Sequence, residues 1–252
     1  MLKTRIIPVL LHRDYGLVKG EAFDPSRTIG SPMQAVKVYN LRGVDELVFL
    51  DITATVQDRP PPLDLVDELA DECFMPLTVG GGVRSLDDVR NLLAVGADKV
   101  SIGTALVEAP DVVAAAAARF GSQCVVASID YRNEPDGTRR VWTRSGTTRT
   151  DVDPVDLAQQ VADAGAGEIL LTCIERDGTM TGYDVETVAL VSDAVGVPVI
   201  AAGGAGSYDH MADVLLRGRA SAVAAASIFH FTQQTPLEAK RRLRELGLPV
   251  RV

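Results

Sequence analysis

One ten-residue pattern occurs twice, and the distance between the copies limits what the chain can fold into. Pro76-Leu-Thr-Val-Gly-Gly-Gly-Val-Arg-Ser85 is matched in kind by Pro198-Val-Ile-Ala-Ala-Gly-Gly-Ala-Gly-Ser207. In each copy a proline opens an apolar run that reads as a buried strand. The run ends in glycines, which let backbone N–H groups approach an anion with no Cβ in the way. Ser85 and Ser207 then precede polar helical patterns, so both read as helix N-caps. Strand, glycine turn and helix N-terminus together form a phosphate cradle.

The duplication reaches well beyond the cradle. Asp45-Glu-Leu-Val-Phe-Leu-Asp-Ile52 is echoed by Gly167-Glu-Ile-Leu-Leu-Thr-Cys-Ile174, Gly96–Thr104 by Gly218–Ala226, and Arg5–Leu11 by Cys124–Asp130. The partners lie about 120 residues apart, half the chain, which excludes a short solenoid repeat. Four strand-and-helix units per half, doubled, give eight. The expected fold is therefore a single α/β domain over residues 1–252, a (β/α)8 TIM barrel built from half-barrels of about 1–122 and 123–252. The composition agrees: 46% of the 252 residues are hydrophobic but only 5% aromatic, which suits the aliphatic interior of a parallel barrel.

A formal net charge of -9 argues against nucleic acid or an anionic membrane as the partner, so any phosphate is held locally. Cys73, Cys124 and Cys173 show no metal spacing, and the three histidines form no metal set. No metal or cofactor is expected. The chain opens on a charged strand with no signal-peptide pattern and no long apolar span, so a cytoplasmic location is expected.

In chain order, a strand over Arg5–Leu11 is followed by a long polar segment, His12 to Gly30, expected to be a binding loop or lid. It carries Lys19, either a lid residue or a solvated charge, and begins with His12, expected to be an exposed loop histidine. Later strands end at Asp51, at Gly80-Gly81-Gly82, at Gly103-Thr104, at Asp130, at Thr172, at Gly203-Gly204 and at Ala226-Ser227. Beyond Asp130, the Asp136-Gly137 turn between Tyr131 and Val141-Trp142-Thr143 predicts a β-hairpin excursion. In a barrel these strand ends share one rim, where such barrels keep their active sites.

Three groups of residues could carry chemistry. The anion set is Gly82 and Thr104 in one half, and Asp177, Gly178, Gly203, Gly204 and Ser227 in the other; ordinary turn glycine is its bland reading. The carboxylate set is Asp51, Asp130 and Asp177. Capping or pairing with arginine is the common fate of aspartate, but Asp130 ends a wholly apolar run with no adjacent helix to cap, making it the best acid or base. The repeat puts Leu11 at its mirror position. The third set, Arg5, Glu46, Lys99 and Glu168, stands at the opposite ends of four strands. There it could close a ring of salt bridges across the barrel bottom, at the mouth of a passage.

These stretches, with Val79-Gly-Gly-Gly82, Ala97-Asp-Lys-Val-Ser101, Phe120-Gly-Ser-Gln123, Arg176-Asp-Gly-Thr179 and Ser227-Ile-Phe-His-Phe231, resemble the cyclase subunit of imidazole glycerol phosphate synthase over essentially the whole chain. The resemblance implies a barrel that takes ammonia from a glutaminase subunit docked at its N-terminal face and passes it to a phosphorylated acceptor at the other rim. It implies that Arg5, Glu46, Lys99 and Glu168 are the ammonia gate, that Lys19 is the lid lysine, and that Asp130 is a catalytic aspartate. It assigns phosphate contacts to Gly82, Thr104, Asp177, Gly178, Gly203 and Ser227. Two positions depart: the family's second catalytic aspartate falls at Leu11, and an asparagine of the first phosphate site falls at Gly103. Ile6–Leu11 and Glu72-Cys-Phe-Met-Pro76 instead resemble a paralogous branch linked to acetamidino modification of surface sugars.

The resulting expectation is an ammonia-receiving synthase subunit of a glutamine amidotransferase whose acceptor is a sugar-linked or sugar-nucleotide group, working with the glutaminase and an ATP-using partner. The alternatives are the histidine-pathway cyclase with one aspartate, a non-catalytic ammonia conduit for a docked enzyme, and a barrel isomerase. The isomerase would need two carboxylates and leave the charged ring without purpose.

Overall fold

A computed structural model describes residues 3–251; Met1 and Leu2, which open the N-terminal stretch of the family resemblance, lie outside them. Eight strands close into one parallel sheet: β1 (Arg5–Arg13), β4 (Leu47–Asp51), β5 (Leu77–Gly80), β6 (Lys99–Ile102), β7 (Val125–Asn133), β10 (Glu168–Cys173), β11 (Val199–Ala202) and β12 (Ala222–Ala225). They pair in that order, and β12 returns to β1. The first four come from one half of the chain and the last four from the other, as the repeat requires.

Each barrel strand is buried on both faces, which is why the strands read as unbroken apolar runs. Residues two apart point into the lumen, where Ile7, Val48, Val126, Leu170, Ile200, Ala222 and Ala224 form one layer. The intervening residues, such as Ile6, Phe49, Val79 and Ile169, pack against the surrounding helices. Those helices are α1 (Pro32–Leu41), α2 (Leu63–Glu72), α3 (Leu86–Ala94), α4 (Ala105–Glu108), α5 (Asp111–Phe120), α6 (Pro154–Asp163), α7 (Val185–Ala194), α8 (Tyr208–Leu216), α9 (Ser227–Phe231) and α10 (Pro236–Glu245). None is long and apolar enough, among the described residues, to cross a membrane.

The two repeated N-caps take the same conformation. Ser85 (φ -142°, ψ 164°) accepts a hydrogen bond from the Asp88 N–H and completes a capping box. Ser207 (φ -151°, ψ 164°) accepts from the His210 N–H.

Two excursions leave the barrel. The predicted hairpin is present: β7 continues past Asp130 and pairs with β8 (Arg139–Thr143), which pairs in turn with β9 (Thr148–Arg149). The Arg132 guanidinium stacks 4.8 Å above the Trp142 ring. The segment from 12 to 30 is not an open loop. β1 runs on to Arg13 and pairs antiparallel with β2 (Gly16–Glu21), which pairs with β3 (Asp24–Gly30). Register shifts at Leu17/Val18 and Lys19/Glu21 disturb the period-two alternation, and that disturbance hid the ribbon in the sequence.

Candidate functional site

The glycine turns are held in matching ways in the two halves. Gly81 (φ 102°) and Gly203 (φ 84°) both occupy backbone conformations that L side chains rarely adopt. A Cβ at Gly81 would collide with the Asp51 carbonyl, and one at Gly203 with the Cys173 carbonyl, two positions that the repeat itself equates. Gly82 donates its N–H to Thr55 Oγ1 at 3.1 Å. These turns open onto a single cavity of about 160 Å³ at the C-terminal rim.

That cavity gathers every rim residue singled out in the sequence: Lys19, Asp51, Gly82, Thr104, Asp130, Asp177, Gly178, Gly203, Gly204 and Ser227. Leu11 and Gly103 line it too. Thr104 stands at the head of α4, where its Oγ1 accepts the Arg144 N–H at 2.9 Å, and Ser227 is the first residue of α9. Sequence reasoning missed Ser145, Thr55 and Phe23, which also line the cavity. Ser145 arrives from the β8–β9 turn and donates to the Ile52 carbonyl at 2.6 Å, a position that only the Ser-Gly turn dipeptide hinted at.

The carboxylates differ in their surroundings. Burial pushes Asp130 up to about 7; the Asp177 charge adds to the rise, and a hydrogen bond with Thr172 opposes it. Asp130 and Thr172 stand side by side in the β7–β10 register. Burial also raises Asp177, against the Lys19 charge and the Gly178 N–H. Lys19 is no solvated loop charge: it is 2% exposed, and burial lowers it to about 8 while Asp177 pulls it back up. The ribbon carrying Lys19 is tied down over this spot, because the Ala22 N–H donates to the Asp177 carbonyl at 2.8 Å.

Asp51 takes the commoner fate of an aspartate. Its Oδ1 accepts the Thr53 N–H (2.9 Å), the Thr53 hydroxyl (2.9 Å) and the Ala54 N–H (3.0 Å), and Arg59 lies 3.2 Å from Oδ2. Burial alone would raise it, but the His12 side, Thr53 and Arg59 together hold it well below the usual carboxylate range. Asp51 lines the cavity, yet most of its accepting capacity shapes the 51–59 loop. His12 is buried rather than exposed, its ring centroid 5.4 Å from that of Phe49 and its Nδ1 3.8 Å from Asp51, too far for a hydrogen bond.

At the opposite end of the lumen the four charges form a closed square. Arg5 lies 2.7 Å from Glu46 and 2.8 Å from Glu168, and Lys99 lies 3.0 Å from each of the same two carboxylates. Thr78 donates to Glu46 at 2.8 Å, which fixes the most buried corner. The charge that precedes each of two corners is also tied. Asp45 accepts the Ile6 N–H and pairs with Lys240 of α10 at 2.7 Å, while Asp98 accepts the Leu77 N–H. Between the square and the rim cavity stands the aliphatic layer of the lumen. No group of three or more His, Cys, Asp or Glu able to hold a metal is found among the described residues.

Comparison with known proteins follows this geometry closely. The family model described as "Histidine biosynthesis protein" matches residues 5–235. Two relatives named imidazole glycerol phosphate synthase subunit HisF, from Caulobacter vibrioides strains NA1000 / CB15N and ATCC 19089, are each 49% identical over 253 residues. The alignments cover 100% of this chain and 97% of each relative. A repeat that builds a closed eight-stranded barrel, and a match over almost its full length, lead to one statement of kinship: the chain belongs to the histidine biosynthesis protein family.

Proposed function

We propose that this chain is the ammonia-using synthase subunit of a glutamine amidotransferase of the imidazole glycerol phosphate synthase type. One observation carries the reading: the square of Arg5, Glu46, Lys99 and Glu168 lies at one end of the lumen whose other end opens on a glycine-cradled cavity containing Asp130. A glutaminase docked at the N-terminal face would release ammonia at the square. The apolar layer above it carries a small neutral molecule more readily than an ion.

In this reading Gly82 and Thr104 at one side, and Asp177, Gly178, Gly203, Gly204 and Ser227 at the other, hold phosphate through N–H and hydroxyl donors. Asp130 is ionised only above about pH 7, so near neutrality it can both give and take a proton. Lys19, buried beneath its ribbon, closes over the acceptor beside Asp177.

Kinship over the full chain favours the histidine-pathway cyclisation as the activity, run with a single aspartate. Leu11 and Gly103 favour a second reading, a sugar-linked acceptor converted to an amidine with an ATP-using partner, because a leucine transfers no proton. Turnover of the phosphoribulosyl formimino substrate with excess ammonium salt, without partner, separates the two. Robust turnover by the wild type supports cyclisation. A folded wild type with no turnover, and a gain in Leu11→Asp, sinks it in favour of another acceptor. Loss of turnover in Asp130→Asn distinguishes either enzyme from a conduit, which would keep delivering ammonia.

A further inference from the structure

The repeat allows the cavity walls to be compared position by position. Val9, Leu11 and Leu50 in the first half are mirrored by Ser128, Asp130 and Thr172 in the second, and all six line the cavity. The registers match as well: Leu11 pairs with Leu50 as Asp130 pairs with Thr172. At all three places the first half is apolar where the second carries a hydroxyl or a carboxyl. The change is concerted, since a hydroxyl at 50 beside a leucine at 11 would lose the partner that Thr172 finds in Asp130.

These are not ordinary core residues. Ile7 and Val48, one layer deeper on the same strands, are fully buried, whereas Val9, Leu11 and Leu50 are only half-buried and expose hydrocarbon to the cavity. A polar group of an acceptor placed against them would leave water and find no partner; a hydrocarbon group would leave water at a gain.

From this asymmetry we infer that Val9, Leu11 and Leu50 form an apolar seat that selects a phosphorylated acceptor bearing a hydrocarbon substituent, of methyl size or larger, beside its reacting carbon. The seat also sets the acceptor's orientation, with its polar atoms turned to Ser128, Asp130 and Thr172. The inference rests on the phosphate-holding role of the rim proposed above, and the test keeps the two apart.

Binding of inorganic phosphate, ethyl phosphate and butyl phosphate is measured by calorimetry on the wild type and on Leu11→Asp/Leu50→Thr. The wild type should gain about fourfold in affinity for each methylene that reaches the seat, and the double variant should show a flat series. If the double variant does not fold, Leu50→Ala should reduce the gain without adding a charge. A flat series in a wild type that binds inorganic phosphate overturns the seat, as does a gain that persists unchanged in the variants. If inorganic phosphate does not bind, the phosphate reading fails and xenon-pressurised crystals decide the seat alone. Xenon against Leu11 and Leu50 upholds it, and xenon found only elsewhere or nowhere removes it.

Discussion

Asp130 shows how a single position acquires a function from its surroundings. As an ordinary aspartate it would be ionised throughout the neutral range; burial beside Asp177 raises it to about 7. The folded protein thus keeps a proton that the unfolded chain has already released above the usual value of about 4. Its burial therefore costs stability increasingly as pH rises from about 4 to about 7, and no further above that. Asp130→Asn removes the titration, so its stability relative to wild type should climb over that window and then level off, as urea titrations at several pH values would show. The same variant should lose roughly 10²- to 10⁴-fold in turnover, together with the limb of the pH–rate profile centred near 7. A profile that keeps this limb in Asp130→Asn would assign it elsewhere. Asp130 was legible in the sequence because it ends an apolar run with nothing to cap. Lys19 and His12 were not, because their burial depends on a ribbon folded over them from the far side of β1.

At the scale of elements, the two serine caps were readable from local chemistry alone, and they recur with nearly identical backbone angles. Ser85→Ala and Ser207→Ala should each cost about 1 kcal/mol in thermal unfolding. The Ser85 change should cost more, because it also breaks the reciprocal bond of its capping box. The antiparallel ribbon of β2 and β3 was read as a loop because its bulges break the alternation by which strands are recognised. The attachment of α10 was equally invisible: Lys240 and Asp45 are almost two hundred residues apart, yet they meet at 2.7 Å with both side chains buried. Lys240→Met would leave Asp45 as an uncompensated buried charge, at a cost of roughly 3–5 kcal/mol. The paired change with Asp45→Asn should recover much of that loss; no recovery would show that the pair is not coupled.

For the molecule as a whole, the separation between the charged square and the rim cavity carries the functional argument. If the square admits ammonia, Lys99→Met in complex with the glutaminase partner should change the ratio of glutamine-driven to ammonium-driven turnover severalfold. An unchanged ratio would reduce the square to a brace for the barrel end. The lopsided cavity belongs to this scale as well, since its two walls come from opposite sides of the barrel and are related only by the approximate twofold of the repeat.

The sequence by itself determined the eight-unit count, the direction of the strands, both phosphate-cradle turns and the phase that aims Asp130, Leu11 and the four gate charges into the lumen. All of these follow from a half-chain repeat and from a side-chain period of two, which are properties of order along the chain. Only the tertiary structure decided which charges meet, that Lys19 is buried beside Asp177, that Asp51 serves its own loop, and that Val9, Leu11 and Leu50 form one wall of one cavity. Those outcomes depend on the closure of β12 onto β1 and of β10 onto β7, which brings distant segments to van der Waals contact and replaces water by protein around each charge.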